Sequence, residues 1–243
     1  MKAIILAAGT ASRLRPLTEH TPKCLLKIGD RSLLQRSMDA LVANGVGEFC
    51  IVTGYLHEQI EQFVAAQYPD VVVRFIHNAD YATTNNIYSL WLARPEAEGQ
   101  DVLLLDSDLL YDGAIVSRVL DDAHPNILTL IRHELGEEEM KVVVDSERRI
   151  REISKTCAPE EAIGESLGIE KMSAEYTRAL YAELQPMMND EHLENRYYEL
   201  AFERLIAQDH TFRVLDVTDL FSCELDTVED FENARQRIPA ALY

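Results

Sequence analysis

The chain has 243 residues, enough to bury one sizeable core, and its 47% hydrophobic and 27% charged residues are ordinary globular values. Its formal net charge of −19 argues against nucleic acid and anionic membranes as partners, but leaves room for a local basic pocket that takes a nucleotide. Four scattered cysteines (Cys24, Cys50, Cys157, Cys223) without a C-x-x-C spacing suggest no zinc framework, and the absence of a leader-like opening or a membrane-spanning run makes a reducing cytoplasm the expectation.

An apolar strand is predicted over Lys2–Leu6. It runs into a small-residue loop, Ala7 to Ser12, followed by Arg13, Arg15 and the pair Pro22-Lys23. Small residues let backbone N–H groups approach an anion closely, and basic side chains neutralise it. The combination reads as a polyphosphate cradle at the carboxyl end of a first strand, where open parallel sheets bind ligands. Lys23 joins two arginines there, a grouping of like charge that calls for an anion. Neither G-x-x-x-x-G-K-[ST] nor G-x-G-x-x-G is present, so this is neither a P-loop nor a dinucleotide fingerprint.

A helix is predicted over Leu33–Asn44, stopped by Asn44-Gly45. A strand follows at Glu48–Thr53, a helix at His57–Gln67, a strand at Val71–Ile76 and a short helix at Asn86–Ala93. The apolar strand Asp101–Leu105 runs into Asp106-Ser107-Asp108. This alternation predicts an α/β fold with a doubly wound, mostly parallel central sheet. Strands are then predicted at Asn126–Arg132, Met140–Val144 and Arg149–Ser154, and a long helix at Glu191–Gln208. Late strands at Phe212–Val217 and Ser222–Asp226 precede a final helix, Asp230–Arg237. Residues 156–165 read as a mobile loop over the second substrate's site. There is no internal repeat and no Pro, Gly or Ser-rich linker.

Several groups could carry chemistry. Carboxylates pushed out of the apolar strand at Asp106 and Asp108 offer hard oxygens suited to Mg²⁺, although strand caps also produce D-x-D. Asp226 or Thr227 reads equally as the N-cap of the last helix. Lys141 and Lys155 lie on a hairpin where alternation also makes a solvent-facing lysine ordinary. The polar segment Asn78 to Asn86 can read a base and ribose, or serve as a turn with an N-cap. In Tyr197-Tyr198-Glu199 an acid beside tyrosines suits a cationic amine through charge and cation–π attraction; it is also compatible with a helix flank packed on the core.

The run Leu6-Ala7-Ala8-Gly9-Thr10-Ala11-Ser12-Arg13-Leu14-Arg15-Pro16-Leu17-Thr18, with Pro22-Lys23, resembles the opening of the nucleotidyltransferases that join a nucleoside triphosphate to a phosphorylated small molecule. Ala11 stands where that pattern has glycine, and alanine is costly at positive φ. Thr84-Asn85-Asn86-Ile87-Tyr88-Ser89-Leu90 is similar to the phosphocholine and 2-aminoethylphosphonate cytidylyltransferases. The resemblance extends from Met1 to about Arg237. It implies a single Rossmann-like nucleotidyltransferase domain, with residues 1–125 as the nucleotide-binding half and 126–243 as a small acceptor-binding half.

The implied activity is a Mg²⁺-dependent transfer from CTP to phosphocholine, phosphoethanolamine or 2-aminoethylphosphonate, with release of pyrophosphate. Within the resemblance, Arg13 and Lys23 hold the triphosphate. Leu6, Ala8, Gly9, Thr10, Asn78, Tyr81, Thr84 and Asn85 bind the nucleotide. Asp108 and Asp226 map onto the metal pair, with Asp106 as second choice for the first ligand. Lys155 contacts the acceptor phosphate, and Glu165, Tyr197, Tyr198 and Glu199 line the acceptor pocket. A homo-oligomer is compatible with this reading. Two alternatives stand beside it. One is a sugar- or polyol-phosphate nucleotidyltransferase. The other is a non-catalytic nucleotide-sensing domain, which would be expected to have lost Arg13, Lys23 or an acid of the pair.

Overall fold

The computed structural model describes residues 1–243. Its elements are, in chain order, β1 (Lys2–Ala7), β2 (Lys27–Ile28), β3 (Arg31–Ser32), α1 (Leu33–Ala43), β4 (Glu48–Thr53), α2 (His57–Gln67), β5 (Val72–His77), α3 (Asn86–Leu92) and α4 (Arg94–Ala97). There follow β6 (Val102–Asp106), β7 (Leu109–Tyr111), α5 (Ala114–Asp121), β8 (Ile127–Ile131), β9 (Lys141–Val144), β10 (Ile150–Ser154) and β11 (Gly164–Met172). The chain closes with α6 (Ala174–Asn189), α7 (Glu199–Ile206), β12 (Arg213–Asp216), β13 (Ser222–Glu224) and α8 (Val228–Arg237).

The strands β6-β1-β4-β5 are parallel neighbours. β1, β4 and β6 are buried on both faces and therefore read as nearly continuous apolar runs, whereas the edge strand β5 is partly exposed. Side chains alternate between two cores. Ile4, Leu6 and Leu104 face a layer built by α3, α6 and α7. Ala3, Ile5, Leu103 and Leu105 face α1, α2 and α5. The sheet is thus doubly wound, as expected. Beyond β6 it changes direction. β11 runs antiparallel to β6, β8 and β9, and β9 pairs antiparallel with β10. β12 adds a parallel partner to β8. The architecture is a parallel centre with an antiparallel extension. No helix is long and apolar enough to cross a membrane.

A third, smaller core positions the site. Leu14 from the loop after β1, Ile28 and Leu33 pack with Leu110, Leu225 and Phe231. This cluster clamps the loop after β1 against the β7–β13 pair and α8.

The second half departs from the sequence reading in three places. The 16-residue α6 was not anticipated. Ser173 caps it by accepting from the Tyr176 N–H, and Tyr176, Leu180, Tyr181, Leu184 and Met187 form its buried stripe. Pro186 reads as a helix terminator because it cannot bond the Ala182 carbonyl, yet burial of that stripe carries the helix to Asn189. The long helix expected over Glu191–Gln208 is shortened to Glu199–Ile206. His192 adopts the left-handed φ of 55° and breaks it. The loop expected over residues 156–165 ends earlier, since Gly164 and Glu165 already belong to β11.

Candidate active site

The β1 strand delivers Leu6 to Gly9 to the floor of a cleft of about 1140 Å³ at the carboxyl ends of β1 and β6. Gly54, just after β4, permits the loop to pack there: a Cβ on it would lie 2.6 Å from the Ala8 carbonyl oxygen. The Tyr55 N–H donates to that same oxygen at 3.0 Å. Ala11 takes the left-handed conformation, φ 46° and ψ 48°, which costs an alanine about 1–2 kcal/mol. Thr18 Oγ1 holds the turn by donating to the Ala11 carbonyl at 2.8 Å.

Two acids reach this loop through one strand pairing. Glu224 pairs with Leu109, and the Leu225 N–H donates to the Asp108 carbonyl at 3.2 Å. This brings Asp108 and Asp226 to the same point. Lys23 Nζ lies between them, 2.8 Å from Asp108 Oδ2 and 2.8 Å from Asp226 Oδ1. Arg13 reaches the other oxygen of Asp226 at 2.5 Å. The expectation that Lys23 faces only like charge is therefore corrected: two carboxylates balance it. Burial opposes the lysine's charge, but Asp108 and Asp226 outweigh it and hold its pKa well above the ordinary value. Partial burial likewise raises the Asp226 carboxyl, and Lys23 and Arg13 overcome this to hold it below its usual range.

Glu224 completes an acidic triad that sequence reasoning left unassigned. One ligand oxygen from each of Asp108, Glu224 and Asp226 lies within 4.8 Å of the others. Asp108 Oδ1 is buried without a hydrogen-bond partner. Hard, anionic oxygens in that arrangement fit a divalent cation. Alternation along β13 was the available signal, because it puts Glu224 and Asp226 on one face. Glu224 faces the open cleft. Desolvation by surrounding protein atoms, then the charges of Asp108 and Asp226, push its carboxyl up to about 8.

The amide segment is a scaffold as well as a wall. Asn78, Tyr81, Thr84 and Asn85 all line the cleft. Asn78, however, spends its side chain internally, donating to Thr84 Oγ1 at 3.1 Å and Ser89 Oγ at 3.2 Å and accepting from the Asp80 N–H at 3.0 Å. Asn85 caps α3, accepting from the Asn86 N–H at 2.8 Å. Thr10 is not part of the cleft wall, whereas its neighbours Gly9 and Ala11 are.

At the other end of the cleft stand Lys155, Glu165, Tyr197 and Glu199. Lys155 Nζ sits 4.7 Å from the centre of the Tyr197 ring and 3.4 Å from Glu138 Oε2. Glu165 Oε2 is 2.7 Å from His133 Nε2, another cleft residue that the sequence did not single out. Glu199 begins α7 and is buried. Burial pushes its carboxyl up to about 7, against a backbone hydrogen bond and the charge of Lys155.

Tyr198 is a correction. It was expected in the acceptor pocket, but it is fully buried beneath it and absent from the cleft wall. Its ring packs on Phe202 at 5.2 Å, and its hydroxyl donates to Asp106 Oδ2 at 2.9 Å. Nor do the tyrosines and the acid share one helix, since α7 starts only at Glu199. Asp106 is thus held by Tyr198 and is not among the three acids whose oxygens converge, which argues against it as first metal ligand. Burial, then the charges of Asp108, Glu170 and Glu199, raise its carboxyl well above the ordinary value.

Gly168 fixes this arrangement from β11. It has φ +79°, and a Cβ there would lie 2.7 Å from Asp106 Oδ2. Gly168→Ala is expected to cost about 2 kcal/mol or more, from backbone strain and displacement of the carboxylate. Urea unfolding checks this; an unchanged midpoint with an unchanged slope would contradict it.

Comparison with known proteins agrees with this geometry. The model of the MobA-like NTP transferase domain matches residues 3–186. The choline-phosphate cytidylyltransferase of Streptococcus pneumoniae is 40% identical over 109 residues, 45% of this chain and 46% of that protein. The CMP-5'-(3-aminopropyl)phosphonate synthase of Streptomyces rubellomurinus is 28% identical over 256 residues, 96% of this chain and 38% of that one. The matched stretches thus span less than half of either relative. The solved CTP:phosphocholine cytidylyltransferase from Streptococcus pneumoniae superposes with a TM-score of 0.80 at 23% identity, covering 97% of both chains, a likeness of fold. The resemblance seen in the opening loop and in Thr84 to Leu90 accords with these relatives. With a match over most of its length, the chain belongs to the family of MobA-like NTP transferase domains.

Proposed function

We propose that this protein is a Mg²⁺-dependent cytidylyltransferase that joins CTP to a phosphorylated or phosphonylated amino-alcohol. The observation that carries the reading is the meeting of Arg13, Lys23, Asp108 and Asp226 at one point of a large cleft at the strand ends. In this reading an acceptor phosphate or phosphonate oxygen attacks the α-phosphorus of CTP. A new P–O bond forms, the bond from the α-phosphorus to the bridging oxygen breaks, and pyrophosphate leaves with the electron pair.

Such transfers need little covalent chemistry from the protein; positioning and charge neutralisation supply most of the rate. Lys23 and Arg13 receive the triphosphate and the charge that grows on the leaving pyrophosphate. Lys155 aligns the acceptor's anionic end, and Glu199 receives its cationic end. The acceptor oxygen is already anionic, so no general base is needed and none of the seven histidines is given a catalytic role. Asp108 and Asp226, with Glu224, would hold Mg²⁺. When bound, the ion would neutralise the phosphate oxygens and orient them for in-line displacement.

The test is a pyrophosphate-release assay on the purified protein. CTP, UTP, ATP and GTP are each paired with phosphoethanolamine, 2-aminoethylphosphonate, glycerol phosphate and glucose 1-phosphate. Turnover is expected with CTP and an amine acceptor, and loss of it on chelation. Equal or better turnover of glucose 1-phosphate would replace this reading with a sugar-phosphate transferase.

A further inference from the structure

At the far end of the cleft from Lys23, a buried carboxyl oxygen has no hydrogen-bond partner. Glu199 is 7% exposed and lines the cleft, yet its Oε2 receives no hydrogen bond. Its surroundings are acidic. Asp106 lies close by with one oxygen satisfied by Tyr198, and the fully buried Glu170 also has an unpartnered Oε2. The nearest cation, Lys155, is directed at the Tyr197 ring and Glu138. A buried acceptor left without a donor is costly, so the Glu199 carboxyl, whose side chain lines the cleft, gains by turning to an N–H from a ligand.

Ammonium heads run from primary to quaternary, and the two extremes are held differently. A quaternary ammonium carries no N–H and is held chiefly by several aromatic faces around it. Only one such face, Tyr197, stands beside Glu199 in the cleft wall, too few to enclose a quaternary head. Lys155 covers Tyr197, and Tyr198 is turned into the core against Phe202. The single tryptophan, Trp91, packs on the core beneath Arg94. A primary ammonium brings three N–H donors in a compact head.

Resting on the cytidylyltransferase reading above, we infer that the acceptor carries a primary ammonium group and that Glu199 selects it over a quaternary one. The carboxylate accepts from the ammonium, while methylation of the nitrogen removes the donors one by one and adds bulk beside a wall whose single ring, Tyr197, already stacks on Lys155.

The experiment is a methylation series. At saturating CTP, kcat/KM is measured by pyrophosphate release for phosphoethanolamine, its N-methyl and N,N-dimethyl derivatives, and phosphocholine. A decline of about tenfold or more from the first to the last is expected, the loss of a hydrogen bond to a charged group. In Glu199→Gln the two ends should come within about threefold of one another, with KM for CTP unchanged, because charge-assisted bonds supply the difference. Phosphocholine turned over as well as phosphoethanolamine would overturn the selection while leaving cytidylyl transfer intact. A preference that survives in folded Glu199→Gln would overturn the role of Glu199. Transfer to neutral sugar phosphates, with none to the amine series, would overturn this inference and the reading beneath it together. Should Glu199→Gln fail to fold, the series on the parent enzyme still decides the primary-amine claim, and Glu199→Asp tests the residue.

Discussion

Lys23→Ala is expected to lower turnover by roughly a hundredfold or more, the usual cost of deleting one preorganised charge donor. The lysine is well placed for this. Its Nζ is held by two carboxylates at 2.8 Å each, which keeps an ammonium at the strand ends for a triphosphate to take over. The same variant leaves Asp108 and Asp226 facing each other without the ammonium between them, and a modest fall in stability should accompany the kinetic loss. Lys23→Arg should not restore activity. A planar fork cannot present one point charge to both carboxylates in the space a single ammonium occupies. The check is kcat beside circular dichroism and urea unfolding. A folded Lys23→Ala protein with nearly parental kcat would remove Lys23 from the reaction.

Asp108→Asn and Asp226→Asn should each cost roughly a thousandfold or more in kcat if both serve one ion, and the double variant should be little worse than the poorer single one. Losses that multiply would mean that the two acids act separately. The pair should still differ in one respect. Asp226 also anchors Arg13 at 2.5 Å, whereas Asp108 does not. Asp226→Asn should therefore raise KM for CTP as well, and Asp108→Asn should act on kcat alone. Mg²⁺ titration of the parent and of both single variants completes the test, with the metal response expected to vanish in each.

The parallel half of the fold was legible because its central strands are buried on both faces. Runs such as Ala3 to Leu6 and Val102 to Leu105 are apolar throughout, and Asn44-Gly45 marks a helix end in the sequence itself. α6 carries Pro186 in its last turn, where the local rule about proline yields to the burial of a long apolar stripe. At the site, residue types were legible and partners were not. Basic residues in a small-residue loop point to an anion from composition alone. That Lys23 is held by acids 85 and 203 positions away depends on the β7–β13 pairing. Tyr198 misled for the same reason. A tyrosine beside an acid suggests a cation pocket, but its hydroxyl partner is 92 residues distant.

The third core has an evolutionary consequence. Arg13, Lys23, Asp108 and Asp226 hang on strand ends and loops locked together by Leu14, Leu110, Leu225 and Phe231. The wall at the other end of the cleft is drawn from the β9–β10 hairpin, the start of β11 and the turn before α7. Substitutions in that wall alter shape and charge without shifting any register among β1, β6, β7 and β13. On the proposed reading, a lineage can therefore exchange one acceptor for another by rewriting a few positions of this wall, while the residues proposed to handle the triphosphate are inherited unchanged.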